Sequence, residues 1–252
     1  MSFGYDYSCT TLSQEGRIYQ IEYAEKAVET ASTAMGIVFS DGVLLASEKI
    51  KGSKTLVSGS NPTIYSVAPH IGVAVCGHLP DGRNLVHRAK SEAQSYLKNF
   101  GVEISGKILA DRLGLYVQSH TLYWSLRPFG SCAMISSYDN DGLFHLFMVE
   151  TNGNVFEYYS CAHGKGRQFV KTEVEKDNFS LKNKKVDDGL YDVLKILIRS
   201  YEGEKETEYD LSVITNVNGK YFHRVVDKTY ISDLVSKAKA QVKEEGKMQV
   251  DL

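Results

Sequence analysis

The order in which strand-like and helix-like segments follow one another constrains the fold of this chain more than any single motif. Short apolar, β-branched runs and long amphipathic stretches come in blocks: strands, two helices, strands, two helices, strands, helix. A doubly wound parallel sheet would instead need single strands alternating with single helices. The block order therefore predicts an α+β fold, a four-layer αββα sandwich of two antiparallel sheets with helices on both outer faces.

Local signals set the bounds of the predicted elements. Apolar residues at helical spacing over residues 18–31 predict an amphipathic helix, which follows a short polar tail over residues 1–12. The Asp41-Gly42 and Asn218-Gly219 pairs predict hairpin turns, and Pro128 is expected to close the helix over residues 107–126. The other predicted helices cover residues 81–99, 167–176, 186–201 and 231–244. Strands are predicted over residues 34–39, 43–47, 65–67, 71–76, 131–138, 143–149, 155–161, 210–215 and 220–226.

Composition excludes several classes of function. The chain carries 29 Lys+Arg and 31 Asp+Glu, a net charge of -2, so it lacks the basic surface that nucleic-acid binding needs. No apolar run approaches the ~20 residues of a membrane helix, and the N-terminus lacks the pattern of a signal peptide. The cytosol or nucleus is therefore the expected compartment. The four cysteines form no CxxC pair and are interpreted as reduced thiols.

Few residues suggest chemistry of their own. The seven histidines show no metal-binding spacing, and neither a metal nor a cofactor is expected. Gly164-Lys165-Gly166-Arg167 opens a helix after a strand, where phosphates can bind. The lysine–serine/threonine pair of a P-loop is missing, so a plain strand-to-helix turn is the favoured interpretation, and a phosphate-binding enzyme is kept as an alternative.

Ser32 and Thr33 stand directly before the first predicted strand. A hydrolase with an amino-terminal nucleophile places Ser, Thr or Cys there and uses the residue's free amine as the base. Here both residues are internal, behind a helix with its own apolar face. A self-processing hydrolase that uses Ser32 or Thr33 is therefore the alternative function to test.

Several ordered motifs together resemble one family, the proteasome α-type subunits. They are Gly4-Tyr5-Asp6, residues 13–24, residues 32–37, residues 41–43, Gly77 with Asp81-Gly82-Arg83, and Arg127-Pro128-Phe129-Gly130. Within the family the chain is most similar to the α type-3 class, which takes the seventh position of the α ring. Residues 99–101, 121–123 and 172–176 carry that likeness.

The resemblance implies a fold and a role. It implies an αββα sandwich of the amino-terminal nucleophile hydrolase type, with a gating tail and α-ring helix over residues 1–31 and the sandwich over residues 32–252. The implied role is a non-catalytic α-ring subunit of the 20S core that assembles the ring, gates substrate entry and receives regulatory caps in ubiquitin-dependent degradation. The implied partners are α subunits of the same ring, β subunits of the adjacent ring and caps such as the 19S particle, with no nucleic acid and no membrane.

Two sites carry over from the family residue by residue, and no catalytic residue does. The gate cluster of two tyrosines, an aspartate and a proline falls at Tyr5, Asp6, Gln14 and Tyr23, with glutamine replacing the proline. The pocket in which activator C-termini dock falls at Ala31, Thr63 and His78, which all depart from the family's glycine, lysine and leucine. The positions of the catalytic nucleophile and lysine of the β subunits fall at Ser32 and Thr63.

Overall fold

The secondary structure follows the predicted order of blocks. The computed structural model of the chain describes residues 4–53, 55–176, 180–201, 203, 206–217 and 219–250. The helices are α1 (Tyr19–Glu29), α2 (Leu79–Phe100), α3 (Gly106–Leu122), α4 (Arg167–Lys176), α5 (Val186–Ser200) and α6 (Lys228–Val250). The strands are β1 (Ala34–Val38), β2 (Val43–Ile50), β3 (Ile64–Ala68), β4 (Ile71–Gly77), β5 (Ser131–Tyr138), β6 (Phe144–Val149), β7 (Val155–Glu157), β8 (Ser160–His163), β9 (Thr207–Val217) and β10 (Lys220–Val225).

The strands form two antiparallel sheets. One has the order β10-β9-β2-β1-β8 and the other the order β3-β4-β5-β6-β7. In the first hairpin Val38 opposes Val43 across the predicted Asp41-Gly42 turn, whereas the register of the β3–β4 hairpin shifts between Ser66 and Ala68. In the last hairpin Gly219 has a φ of +83°, while Asn218, the other predicted turn residue, lies outside the described residues.

Apolar side chains fill three layers between these elements. One cluster joins α4, α5 and α6 to the first sheet, and another joins α2 and α3 to the second sheet. A third lies between the sheets, where Leu45, Met134 and Leu146 are completely buried. Because both faces of both sheets are covered, strands such as β4 can be apolar along their whole length. The predicted αββα sandwich with an N-terminal helix is confirmed.

The prediction of a single strand over residues 155–161 is wrong. The segment forms two short strands, β7 and β8, which belong to different sheets. The chain changes sheets at two tyrosines: the Tyr158 N–H donates to the Leu146 carbonyl of one sheet, and the Tyr159 carbonyl accepts from Val38 N–H of the other, both at 2.8 Å. The aromatic, strand-like sequence hides this crossing because both tyrosines still make ladder-type hydrogen bonds.

The predicted end of the helix over residues 107–126 is also wrong, and Pro128 does not stop it. Helix α3 ends at Leu122, and Tyr123 is already extended, with φ -116° and ψ 132°. Residues 123–126 then form a turn in which the Leu126 N–H donates to the Tyr123 carbonyl at 3.1 Å. The helix thus ends several residues before the proline, at a turn that also contacts the N-terminal tail.

The remaining bounds differ by a few residues from those predicted. Helix α2 begins at Leu79, with Pro80 in its first turn, where the missing N–H costs nothing. Strand β9 begins earlier than predicted, at Thr207, because its pairing with β2 extends that far. None of the helices in the described part of the chain is long and apolar enough to cross a membrane.

Candidate functional site

Ser32 and Thr33 lie between the end of α1 and the start of β1. Ser32 follows Ala31 in the chain, so its nitrogen is an amide and cannot act as the base of an amino-terminal nucleophile. Thr33 is buried, and its Oγ1 accepts a hydrogen bond from the Gly166 N–H at 3.0 Å. The hydroxyl of Thr33 is therefore packed against the chain itself rather than presented to a substrate.

The loop that leads into α4 holds this segment in place. The Lys165 N–H donates to the Ala31 carbonyl at 3.0 Å. Gly164 has a φ of +95°, and a Cβ there would lie 2.5 Å from the Ser32 carbonyl oxygen. A Cβ on Gly166 would lie 2.7 Å from Thr33 Oγ1. Glycine is needed at both positions because two segments of the chain touch there.

The same contacts argue against a phosphate site at this loop. A phosphate at a helix N-terminus binds free backbone N–H groups. Here the amides of Lys165 and Gly166 donate to Ala31 and Thr33, and the Arg167 amide donates to the Gly164 carbonyl at 3.1 Å. These three donors of the loop are already used, which favours the interpretation as a strand-to-helix turn.

Thr63, where the catalytic lysine of the β subunits is predicted to fall, is bonded to a carboxylate. Its N–H and Oγ1 both donate to Asp210 Oδ2 at 3.1 Å. Asp210 also forms an ion pair with Lys49, whose Nζ lies 2.8 Å from Oδ1. The two groups are not aligned as a hydrogen bond, and Lys49 Nζ has no hydrogen-bond acceptor among the described residues. All three residues are buried, so the positive charge of Lys49 is compensated by the negative charge of Asp210.

Glu48, beside Lys49 on β2, faces the other side of the sheet. Its N–H donates to the Thr33 carbonyl at 2.8 Å. Burial raises the pKa of its carboxyl group, although hydrogen bonds from Thr33 oppose the shift, and its Oε1 has no hydrogen-bond partner within the described residues. The main-chain hydrogen bond from Glu48 is thus another contact that holds the Ser32–Thr33 segment in place.

The four predicted gate residues lie in the tail and on α1. Tyr5 and Asp6 are half-buried, whereas Gln14 and Tyr23 are exposed. The Asp6 carbonyl accepts a hydrogen bond from the side chain of Gln20, which ties the tail to α1. No hydrogen bond in the described residues joins the four side chains to one another, so the cluster stays a prediction.

The three predicted docking residues lie near one end of the sandwich. Thr63 and His78 lie at the same end of the adjacent strands β3 and β4: the Thr63 carbonyl accepts from Val75 N–H at 2.9 Å, and His78 directly precedes α2. Ala31 lies before β1 and accepts from Lys165 N–H. Thr63 is buried, Ala31 is half-buried and His78 is exposed.

Sequence reasoning missed several residues that shape these sites. Asp210 and Lys49 lie on strands where a charged residue looks like an ordinary outward-facing one, and only the pairing of β2 with β9 brings them together. Cys9 belongs to no motif, yet it is buried and its thiol contacts the turn after α3. No sequence signal marks these contacts, because each joins residues more than 100 positions apart.

The architecture and the position of Ser32 and Thr33 define a class of protein. Two antiparallel sheets packed face to face between helices, with hydroxyl residues at the start of the first strand, are the fold of amino-terminal nucleophile hydrolases. This chain has that fold behind a preceding helix, α1.

Comparison with known proteins identifies the family within this class. The proteasome subunit family profile matches residues 28–215, and the N-terminal signature of A-type proteasome subunits matches residues 5–27. The chain belongs to the proteasome subunit family and is of its alpha type. Proteasome subunits assemble into rings with one another, and alpha-type subunits are generally non-catalytic parts of the proteasome.

Similar proteins are named as proteasome alpha subunits, several of them of type 3. The chain is 46% identical to proteasome subunit alpha type-3 of Oryza sativa subsp. japonica, over 83% of each chain. It is 41% identical to proteasome subunit alpha type-3 of Arabidopsis thaliana, over 95% of this chain and 94% of the other. A probable proteasome subunit alpha type-7 of Schizosaccharomyces pombe is 45% identical over 83% and 81%. The predicted resemblance to the type-3 class is confirmed.

Proposed function

We propose that this chain is a non-catalytic α-ring subunit of the 20S proteasome core, which takes part in gating substrate entry and docking regulatory particles during ubiquitin-dependent protein degradation. The observation that supports the absence of catalysis is the state of the Ser32–Thr33 segment. The nitrogen of Ser32 is a peptide amide rather than a free amine, and the Thr33 hydroxyl accepts a hydrogen bond from the Gly166 N–H. Thr63 supports it, because its hydroxyl cannot replace the cation that assists a nucleophile.

The mass of the chain inside its assembly tests this proposal. Native mass spectrometry of the complex purified through this chain should show a particle of many different proteasome subunits. On denaturation the chain should have a mass near 28.1 kDa, with residues 1–31 retained. A chain cut before Ser32 or Thr33 would instead support the alternative, a self-processing amino-terminal hydrolase, and would overturn the proposal.

Organisation, partners and location form the finer part of the proposal. We infer a gating tail and ring helix over residues 1–31 and a sandwich domain over residues 32–252; the meeting of the two family profiles between residues 27 and 28 supports this division. The proposed partners are other α subunits of the ring, β subunits of the adjacent ring and caps such as the 19S particle. The proposed compartments are cytoplasm and nucleus.

The gate proposal predicts that proline at residue 14 raises the basal peptidase rate of the particle. Gln14 is exposed and follows Ser13 in a turn closed by the Gly16 N–H, which donates to the Ser13 carbonyl at 3.0 Å. Proline suits this second turn position and should stabilise the turn by about 0.4–1 kcal/mol. Because the family's cluster holds the open gate, Gln14→Pro should raise the basal peptidase rate of particles about two- to fivefold, the equivalent of that energy.

The matched control for this prediction is Gln14→Ala, which removes the same side chain without fixing the backbone. It should leave the basal rate unchanged. If Gln14→Pro leaves both the basal and the activated rates at their original values, residue 14 has no part in the gate.

The docking proposal predicts weak binding of activator tails at this subunit. Thr63 lacks a charge, and its hydroxyl is bonded to Asp210, so it cannot form the charge-assisted hydrogen bond that a lysine gives a terminal carboxylate. Thr63→Lys should raise cross-linking of a photoreactive activator tail peptide to this chain by about tenfold. Thr63→Gln, long but neutral, should not. A structure with a tail carboxylate salt-bridged in this subunit's unaltered pocket would contradict the prediction.

A further inference from the structure

The N-terminal tail is attached to the sandwich at a point outside the predicted gate cluster. Cys9 is buried, with 4% of its surface exposed. Its thiol donates to the Tyr123 carbonyl at 3.3 Å, and the Leu126 carbonyl is within 3.8 Å. Both carbonyls belong to the turn that ends α3, 114 and 117 residues away in the sequence.

The turn after α3 is a surface suited to a donor such as this thiol. The last carbonyls of a helix have no partners within it, and the helix dipole makes that end negative. The Leu126 N–H already donates to the Tyr123 carbonyl, and the Cys9 thiol adds a second donor from the tail. Cysteine otherwise packs as a small apolar residue, so the contact combines burial with a weak hydrogen bond.

Within residues 7–10, Cys9 makes the contact with the sandwich. Tyr7 is 88% exposed and Thr10 is exposed, while the hydroxyls of Ser8 and Thr10 lie 2.8 Å apart and bond to each other. A second attachment lies upstream, where the Gln20 side chain donates to the Asp6 carbonyl. Residues 6–9 are thus tied to α1 at one end and to the turn after α3 at the other.

We propose that Cys9 is a positioning residue of the tail: its contact with the turn at residues 123–126 fixes where Tyr5 and Asp6 lie, and thereby biases the gate. This inference rests on the proposed gating function and adds a residue and a contact surface to it. A change at residue 9 therefore acts on substrate entry through the tail, without touching substrate.

The test compares two variants that add the same charge to neighbouring residues. Cys9→Asp places a carboxylate against two carbonyl oxygens at the negative end of α3, which should release the tail. Thr10→Asp adds the charge at an exposed position and is the matched control. In purified 20S particles, hydrogen exchange of the amides of residues 6–12 should become about tenfold faster in Cys9→Asp and stay unchanged in Thr10→Asp.

Two milder variants keep the test valid if Cys9→Asp particles do not assemble. Cys9→Ala removes the donor and should speed the exchange about threefold, whereas Cys9→Ser keeps a donor and should stay close to the unaltered chain. Equal exchange rates in all variants, or an equal increase in Cys9→Asp and Thr10→Asp, would overturn the positioning role.

The basal peptidase rate of the same particles separates the contact from the gate. If the tail is released and the rate changes at least about twofold, a free-energy change within the range of a single contact, both the positioning role and the gate are supported. If the tail is released and the rate stays constant, the contact exists but does not bias the gate, and the gating function itself is contradicted. A structural role alone would not move the peptidase rate of fully assembled particles.

Discussion

Gly164→Ala should lower the free energy of unfolding by about 3–5 kcal/mol, the range of severe single substitutions. Residue 164 has a φ of +95°, which strains any residue with a Cβ. The new Cβ would also lie 2.5 Å from the Ser32 carbonyl oxygen and 2.9 Å from Thr33 Cα. These are backbone atoms that cannot rotate away, so the loop must move and lose its hydrogen bonds to Ala31 and Thr33.

Gly101→Ala is the matched control for this substitution. Gly101 ends α2 with a φ of +71°, but a Cβ there would meet nothing within 4 Å. Its cost should be the conformational part alone, about 1 kcal/mol. Urea unfolding of the purified chains measures both. Equal losses would show that the loop does not need its close contact with the Ser32–Thr33 segment.

Asp81→Asn should cost about 2 kcal/mol, since it weakens several hydrogen bonds of one buried carboxylate. The guanidinium of Arg127 donates to its two oxygens at 2.7 and 2.8 Å, and the Gly130 N–H donates at 2.9 Å. Asparagine keeps the shape and one acceptor but loses the bidentate ion pair. The exposed pair Lys26–Glu29 provides the control: Glu29→Gln should change the unfolding free energy by less than about 0.5 kcal/mol.

The contribution of Asp81 should also depend on pH. Burial alone would raise the pKa of Asp81, but the hydrogen bonds and charge of Arg127 and the amide of Gly130 outweigh it and lower the pKa. A lowered pKa in the folded state means that the stabilisation is present above the unfolded value of about 3.9. It is lost as the pH falls through the folded pKa. The difference between the original chain and Asp81→Asn should therefore be constant near pH 6–7 and shrink below about pH 4. A constant difference throughout would show that the ion pair is not its source.

Most of the fold could be predicted because its signals are local. Turn pairs such as Asp41-Gly42 indicate the hairpins, and amphipathic spacing marks each helix. The errors arise where long-range contacts decide the structure. The crossing at Tyr158 and Tyr159 depends on which sheet each residue pairs with, and the early end of α3 coincides with a turn that receives the thiol of Cys9.

For the candidate sites, too, local signals could be read from the sequence, whereas long-range contacts could not. The positions of Ser32, Thr63 and the gate residues follow from motifs close in the sequence. The partners that define their chemistry do not: Asp210, on β9 of one sheet, meets Thr63, just before β3 of the other, from 147 positions away, and Gly166 meets Thr33 from 133 positions away. A pattern of residues states which side chains are present, whereas burial and long-range pairing decide which of them remain available for binding or catalysis.

The strand order of the two sheets affects how the chain can fold while the ribosome synthesises it. The sheet β3-β4-β5-β6-β7 is built from one continuous stretch of chain, so it can close as soon as that stretch emerges. The other sheet sets β2 beside β9, near the far end of the sequence. The β1–β2 hairpin must therefore wait, with one edge unpaired, until almost the entire chain has been synthesised. Such an edge pairs readily with other strands, which makes the nascent chain most vulnerable to aggregation just before its translation ends.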